Sequence, residues 1–266
     1  MPRAQRRSRS TDPVRPHSSV DMQEVAKFSA LAEEWWKPRG RFAPLHRLNP
    51  LRLGFIRDTA ASHFARDPSV LVPFAGLSLV DIGCGGGLLT EPMARQGFTT
   101  LGIDASEDSV AIAVSHARTA MVAAAYRCAV VETLAAEGSS FDVVLNMEIV
   151  EHVGDLQAFL TSCSAILKPG GLMFVATINR TLKALALAKL GAEYVLGWIP
   201  RGTHDWRKFV EPKRLSAGAE GAGLEILKIQ GVAFDPLAWN WRLSSDTGVN
   251  YMAVAAKSVG LVSSRR

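Results

Sequence analysis

A chain of 266 residues, 48% hydrophobic and 21% charged, can bury one sizeable core, most simply as one domain with extensions. Its net charge of +5 is modest and partly terminal: Arg3, Arg6, Arg7, Arg9 and Arg15 sit at one end, Arg265 and Arg266 at the other. With the remaining basic residues scattered and no aromatic-interleaved basic patch, this balance argues against nucleic acid as a partner, and Cys84, Cys128 and Cys163, without CxxC spacing, point to a reduced compartment with neither a disulfide framework nor a metal knot.

Residues 1–20 form a basic tail without apolar periodicity, expected to be disordered. The tail lacks the apolar core of a secretory signal. Its arginines and few acids suit a mitochondrial presequence, but Pro2, Pro13 and Pro16 and the missing amphipathic face oppose one. From Asp21 a helical pattern begins, with Val25, Phe28, Leu31, Ala32 and Trp35 on one face. The segment that follows, WWKPRGRFAPLHRLNPLRLGFIRD, leads into a second helix expected over 50–63. Two readings stay open for 21–75: a lid offering Arg41, Arg47 or Arg52 to an anion, or a helical hairpin covering a sheet edge with solvated arginines.

Residues 78–87, SLVDIGCGGG, read as a buried strand, a glycine turn and the start of a helix at Leu88 and Leu89. Glycines stand where backbone must take positive φ or touch a ligand, and the following helix aims unpaired N–H groups at the same place. A dinucleotide turn would want glycine at position 88, which is leucine; Gly83, Gly85 and Gly87 fit instead the GxGxG turn of S-adenosylmethionine (SAM) enzymes. The next strand, 99–104, ends in Asp104, a carboxylate placed to accept both hydroxyls of a ribose.

Ser106 with Glu107 and Asp108 starts a helix whose buried face is Val110, Ile112, Ala113 and Ala117. A third strand is expected at 124–130, followed by Glu132, either an adenine contact or a surface acid. The fourth strand, 142–146, runs out into Met147 at the end where open α/β sheets bind ligands. A helix over 155–167 stops at the tight turn Lys168-Pro169-Gly170-Gly171 before a strand at 172–178; a helix at 212–223 and strands at 224–232 and 250–257 complete the chain. This βαβ alternation implies an α/β fold with a parallel sheet covered on both faces.

The segments FSALAEEWW, FAPLHRLNPLRLGFIRD, VDIGCGGGLLTEPMARQG, NMEIVEHV, LKPGGLMFVATINRT and GTHDWRKFV resemble the ubiquinone-biosynthesis O-methyltransferases, bacterial and mitochondrial, over about residues 21–257. The resemblance implies a Rossmann-like class I SAM-dependent methyltransferase with a mostly parallel seven-stranded sheet and an antiparallel last strand. In that frame 1–20 and 259–266 are tails, 21–75 a helical cap, and 76–258 the methyltransferase domain carrying an insertion at 180–209. It also implies methylation of catechol-type hydroxyls on polyprenylated quinone precursors at both O-methylation steps. The implied SAM contacts fall on Arg52, Gly83, Asp104 and Met147, beside Gly85 and Gly87 of the turn. Arg52 would pair with the methionyl carboxylate.

Glu148, Glu151 and His152 occupy i, i+3 and i+4, so a helical turn would present all three on one face, a donor set able to hold Mg²⁺. The resemblance points to Mg²⁺ at these same positions. A phenolic hydroxyl, with a pKa of about 10, needs a base or a metal to become a nucleophile. His152 is the reserve general base and Glu148 its catalytic neighbour. Other readings left open are a methyltransferase of another small phenol or metabolite, and a non-catalytic SAM- or lipid-binding component of a ubiquinone-synthesis complex; intact Glu148, Glu151 and His152 oppose the last.

The insertion is strongly apolar through Leu182, Leu185, Leu187, Leu190, Tyr194, Val195, Leu196, Trp198 and Ile199, with Lys183, Lys189 and Glu193 interrupting it. Its uninterrupted runs fall far short of the roughly 20 residues of a membrane span. An interfacial segment over 182–199 is expected, with a helical lid as the other reading. The implied location is cytoplasmic, on the inner-membrane surface, or on the matrix side in a mitochondrion, with the lipid surface and other ubiquinone-biosynthesis enzymes as partners.

Overall fold

The computed structural model describes residues 19–185, 208–235, 238 and 240–259. The expected tails fall almost wholly outside these residues, as does the insertion between 186 and 207. The elements are α1 (Met22–Ser29), a 3₁₀ turn (Ala32–Glu34), α2 (Ala43–His63), β1 (Ser78–Ile82), α3 (Thr90–Arg95), β2 (Thr99–Asp104), α4 (Glu107–Thr119), β3 (Ala124–Cys128) and α5 (Val131–Ala136). They continue with β4 (Phe141–Met147), α6 (Leu156–Ile166), β5 (Leu167–Ile178), α7 (Leu182–Leu185), α8 (Pro212–Gly221), β6 (Leu224–Asp235), β7 (Asn240–Ser244) and β8 (Asn250–Lys257).

The described strands form one sheet in the order β3-β2-β1-β4-β5-β8-β6-β7. β3 through β5 are mutually parallel, and β8 enters antiparallel between β5 and β6. Alternation along the strands sorts the core into two layers. Val80 and Ile82 of β1 and Val144 of β4 join Leu134, Phe159, Leu160, Ile166 and Leu215 beneath α5, α6 and α8. Leu79, Val143 and Leu145 face the other way, onto Phe55, Ile56, Ala60 and Met93 of α2 and α3. The stretch read either as a lid or as a hairpin over a sheet edge therefore supplies, in α2, part of the main core.

Three expectations need correction. α2 starts at Ala43 and not at Pro50: Pro44 sits in its first turn, where a missing N–H costs nothing, and Pro50 is carried inside the helix with the loss of one backbone bond. Lys168-Pro169-Gly170-Gly171 is no turn before β5 but a bulge within it, where the register to β4 jumps from Phe141↔Leu167 to Val143↔Leu172 and Gly170 takes φ 77. An eighth strand, β7, pairs with an extended β6 in place of the expected seven-stranded sheet. It is a short, half-exposed edge strand and buries no continuous apolar run by which to be recognised.

Leu145, fully buried in β4, should report on the two-layer core: Leu145→Ala is expected to lose about 2–5 kcal/mol. A shift of the urea midpoint at unchanged slope checks it.

Candidate functional site

The parallel pairing Ile82↔Ile103 brings the turn after β1 beside the end of β2. Gly83, Gly85 and Gly87 take φ of 69°, 52° and 88°, left-handed values that explain glycine at the three positions. Gly85 N–H donates to Asp104 Oδ2 at 2.9 Å, and Ser106 N–H to Oδ1 at 2.8 Å. Burial pushes the Asp104 carboxyl above its ordinary pKa, against the pull of those N–H groups.

The N-terminal segment lies on this turn. Trp35, stacked on Phe42 with centroids 3.7 Å apart, occupies the space that a Cβ at Gly85 or Gly86 would need. Trp36 Nε1 donates to Gly86 O at 2.8 Å while its ring stacks on His116 at 3.4 Å. His116 Nδ1 is 2.8 Å from Glu91 Oε1, so the contact continues into α3.

Across the turn, Arg52 of α2 is buried, at 3% exposure, and its Nη2 donates to Glu148 Oε1 at 2.7 Å. Its buried Nε has no hydrogen-bond partner among the described residues. Met147 ends β4 in the core layer of α2 and is itself buried. Only a single turn follows it, closed by His152 N–H to Ile149 O at 2.9 Å, and Glu148 stands outside that turn. Glu148 takes φ 59, a left-handed value that breaks the helical path, while its N–H donates to Ala176 O of β5 at 2.8 Å.

Glu148, Glu151 and His152 consequently turn to different partners. Glu148 faces Arg52; Glu151, buried, accepts from Thr177 Oγ1 at 2.7 Å; His152 Nδ1 donates to Glu24 Oε2 at 3.0 Å. Among the described residues no group of three histidine, cysteine or acidic side chains could hold a metal ion, so this arrangement does not fit the expected Mg²⁺. Burial, reinforced by Glu148, lifts the Glu151 carboxyl above the ordinary carboxylate range. Burial pulls His152 down, but its bond to Glu24 and the nearby charges of Glu151, Glu24 and Glu148 outweigh it, and the net shift is upward. Glu24 is held well below the usual carboxylate range, chiefly by His152 and against its own desolvation, with Lys27 and Lys208 adding to the effect.

Sequence reasoning missed Glu24, Trp36 and Lys208. No local pattern marks their roles, because each acts across the chain. Of the two readings of Glu132, adenine contact or surface acid, the second falls. It is buried, and its Oε1 accepts from Ser19 N–H at 3.0 Å, so it is not a surface acid.

A mostly parallel sheet with a glycine turn after β1, an acid ending β2 and the last strand reversed defines a Rossmann-like methyltransferase, and the methyltransferase-domain family model matches residues 52–229. Magnesium protoporphyrin IX methyltransferase from Synechocystis PCC 6803, solved with bound SAH, shares this fold at TM-score 0.60 and 16% identity, covering 88% of this chain and 94% of that one. Two curated relatives, each called ubiquinone biosynthesis O-methyltransferase, are far more similar. The protein from Parvibaculum lavamentivorans is 54% identical, covering 91% of this chain and 95% of its own. That from Caulobacter vibrioides is 55% identical, covering 91% and 96%. The chain belongs to the ubiquinone biosynthesis O-methyltransferase family, a group of SAM-dependent enzymes.

The Glu24–His152 pair predicts a stability window. Glu24's lowered pKa contributes stability that is complete above the ordinary 4.5 and lost as the pH falls towards its folded value. The raised pKa of His152 contributes stability that is complete below the ordinary 6.5 and lost as the pH climbs through its folded value. The stability difference between wild type and His152→Gln should therefore be greatest between these two ordinary values and shrink on both sides. Urea unfolding across the window measures it.

Proposed function

We propose that this chain methylates catechol-type hydroxyls of polyprenylated ubiquinone precursors at both O-methylation steps of the pathway. The observation that carries the reading is nearly full-length likeness to the ubiquinone biosynthesis O-methyltransferases, together with a glycine turn, a strand-end acid and a buried arginine at one end of the sheet. These residues fit SAM. Arg52 has an orphaned buried Nε and would take the methionyl carboxylate; Gly83, Gly85 and Gly87 let backbone approach; Asp104 would accept the ribose hydroxyls; Met147 would pack beside them.

When bound, SAM supplies an electrophilic methyl group on a sulfonium that departs as a neutral thioether. The rest of the work falls to the protein. His152, held through Nδ1, takes the hydroxyl proton on Nε2, and the electron pair left on the oxygen forms the new O–CH₃ bond. Arg52, now paired with Glu148, would hold the methionyl carboxylate, and the Glu148 carboxylate would then be available to stabilise charge near the transferred proton. Burial and Trp35 keep water from the turn.

Two measurements test the reading. Purified protein should bind SAM and transfer its methyl group to a short-prenyl catechol, and Asp104→Ala should weaken SAM binding by about 2 kcal/mol through two lost hydrogen bonds. Unchanged affinity by calorimetry would remove the pocket assignment. No described helix is long and apolar enough to cross a membrane. Peripheral docking through 182–199 remains the proposal for reaching a substrate whose prenyl chain costs about 0.8 kcal/mol per CH₂ to draw into water. Wild type should float with anionic liposomes and the Leu196→Glu, Trp198→Glu double variant should not; equal flotation of the two sinks this segment as the contact.

A further inference from the structure

α1 carries one buried residue, and it is an acid. All of the helix is described, its other side chains are exposed or half-exposed, and Glu24 is 7% exposed. A lone carboxylate at the one buried position of an amphipathic helix is expensive unless it is paired, and an apolar residue would serve a purely structural contact better. Glu24 is paired three ways. Its Oε2 accepts from His152 Nδ1 at 3.0 Å, and its Oε1 accepts from Lys27 Nζ at 2.8 Å and from Lys208 Nζ at 3.2 Å.

The same helix constrains the imidazole a second time. Phe28, one turn along, meets the His152 ring edge-on at 5.2 Å and 86°, so hydrogen bond and ring contact fix both the position and the tilt of the imidazole. The backbone before α1 is fastened to the same loop. Gly154 N–H donates to Ser19 O at 2.6 Å, and Val20 forms a bridge with Val153. Residues 19–28 are in effect a mount for the segment that carries His152.

We propose that Glu24 is a positioning residue for methyl transfer: its carboxylate holds His152 in the tautomer with the proton on Nδ1 and leaves Nε2 as the basic nitrogen. The inference rests on the reading that His152 receives the hydroxyl proton. In that step the O–H bond breaks, its proton forms the N–H bond at Nε2, and Glu24 keeps its carboxylate beside the resulting imidazolium. Lys208 and Asp21, 2.9 Å apart, fix the far side of Glu24 where the chain returns from the insertion.

The test is a double-mutant cycle on the full chain, with SAM and a short-prenyl catechol as substrates. Glu24→Gln, close in shape and still an acceptor for the lysines, should lower kcat on the order of 100-fold while leaving KM for the catechol and SAM affinity near wild type. Glu24→Ala should do the same, and if it fails to fold, the glutamine variant still decides. In a His152→Ala background neither substitution should lower kcat further, because the residue through which Glu24 acts is gone. If Glu24→Gln is fully active while His152→Ala is not, the positioning role is wrong and the base stands. If the losses multiply across the two backgrounds, Glu24 acts elsewhere and the proposal fails. If His152→Ala keeps full activity, the base reading itself fails, and this inference with it.

Discussion

The bond from Gly85 N–H to Asp104 is the constraint on which the upper end of the sheet depends. It is possible because β1 and β2 run parallel and end together, and Cys84 N–H extends the pairing to Ile103 O at 3.0 Å. From there the backbone must reverse within a few residues and enter α3. Thr90, at the start of that helix, donates back to Asp81 Oδ2 at 2.7 Å, so the turn is anchored at both ends by carboxylates. Burial pushes Asp81 up to about 6. Such a group is tolerated because the hydroxyl satisfies it, and it leaves the turn little freedom to open.

On that fixed turn the N-terminal segment is a working part of the site. Trp35 and Trp36 pack on the glycines, His116 and Glu91 continue the contact, and Glu24 reaches the loop after β4. The buried acids Asp81, Glu91, Glu24 and Glu151 each have a donor, and all lie near the ends of β1 and β4 or on the helices facing them. A carboxylate buried without a partner costs several kcal/mol; Asp81, Glu91 and Glu151 find theirs in Thr90, His116 and Thr177, and only the Glu24–His152 pair depends on the cap staying down. Hydrophobic burial of α2 in the core layer holds it there.

What was legible in the sequence was local. The apolar runs of β1, β2 and β4, the glycine spacing and the helix start at Ser106 each declare themselves within a few residues, and the structure shows Ser106 accepting from the third residue beyond. What was hidden depends on distant partners. The start of α2 turned on two prolines, either of which suits a first helical turn, and the helix that begins at the earlier one carries Pro50 inside it. β7 exists only by pairing with β6. The i, i+3, i+4 spacing of Glu148, Glu151 and His152 was correct as arithmetic, but the left-handed Glu148 stands outside the single turn that joins the other two. Glu24 and His152, 128 positions apart, share no local signal.

The strain at Glu148 shows how contacts between distant residues prevail over local preference. A non-glycine residue in the left-handed region costs on the order of 1–3 kcal/mol, so a relaxed backbone should be preferred unless something larger opposes it. Two contacts do. Its N–H is held by Ala176 O on the neighbouring strand, and its carboxylate is the partner of a guanidinium that the core of α2 has removed from water. Leaving such a buried charge unpaired costs about 3–5 kcal/mol, more than the strain. The left-handed turn is therefore the lower-energy state for as long as Arg52 has no other anion. Were another anion to satisfy Arg52, that penalty would be gone and the bond to Ala176 O alone would stand against the strain.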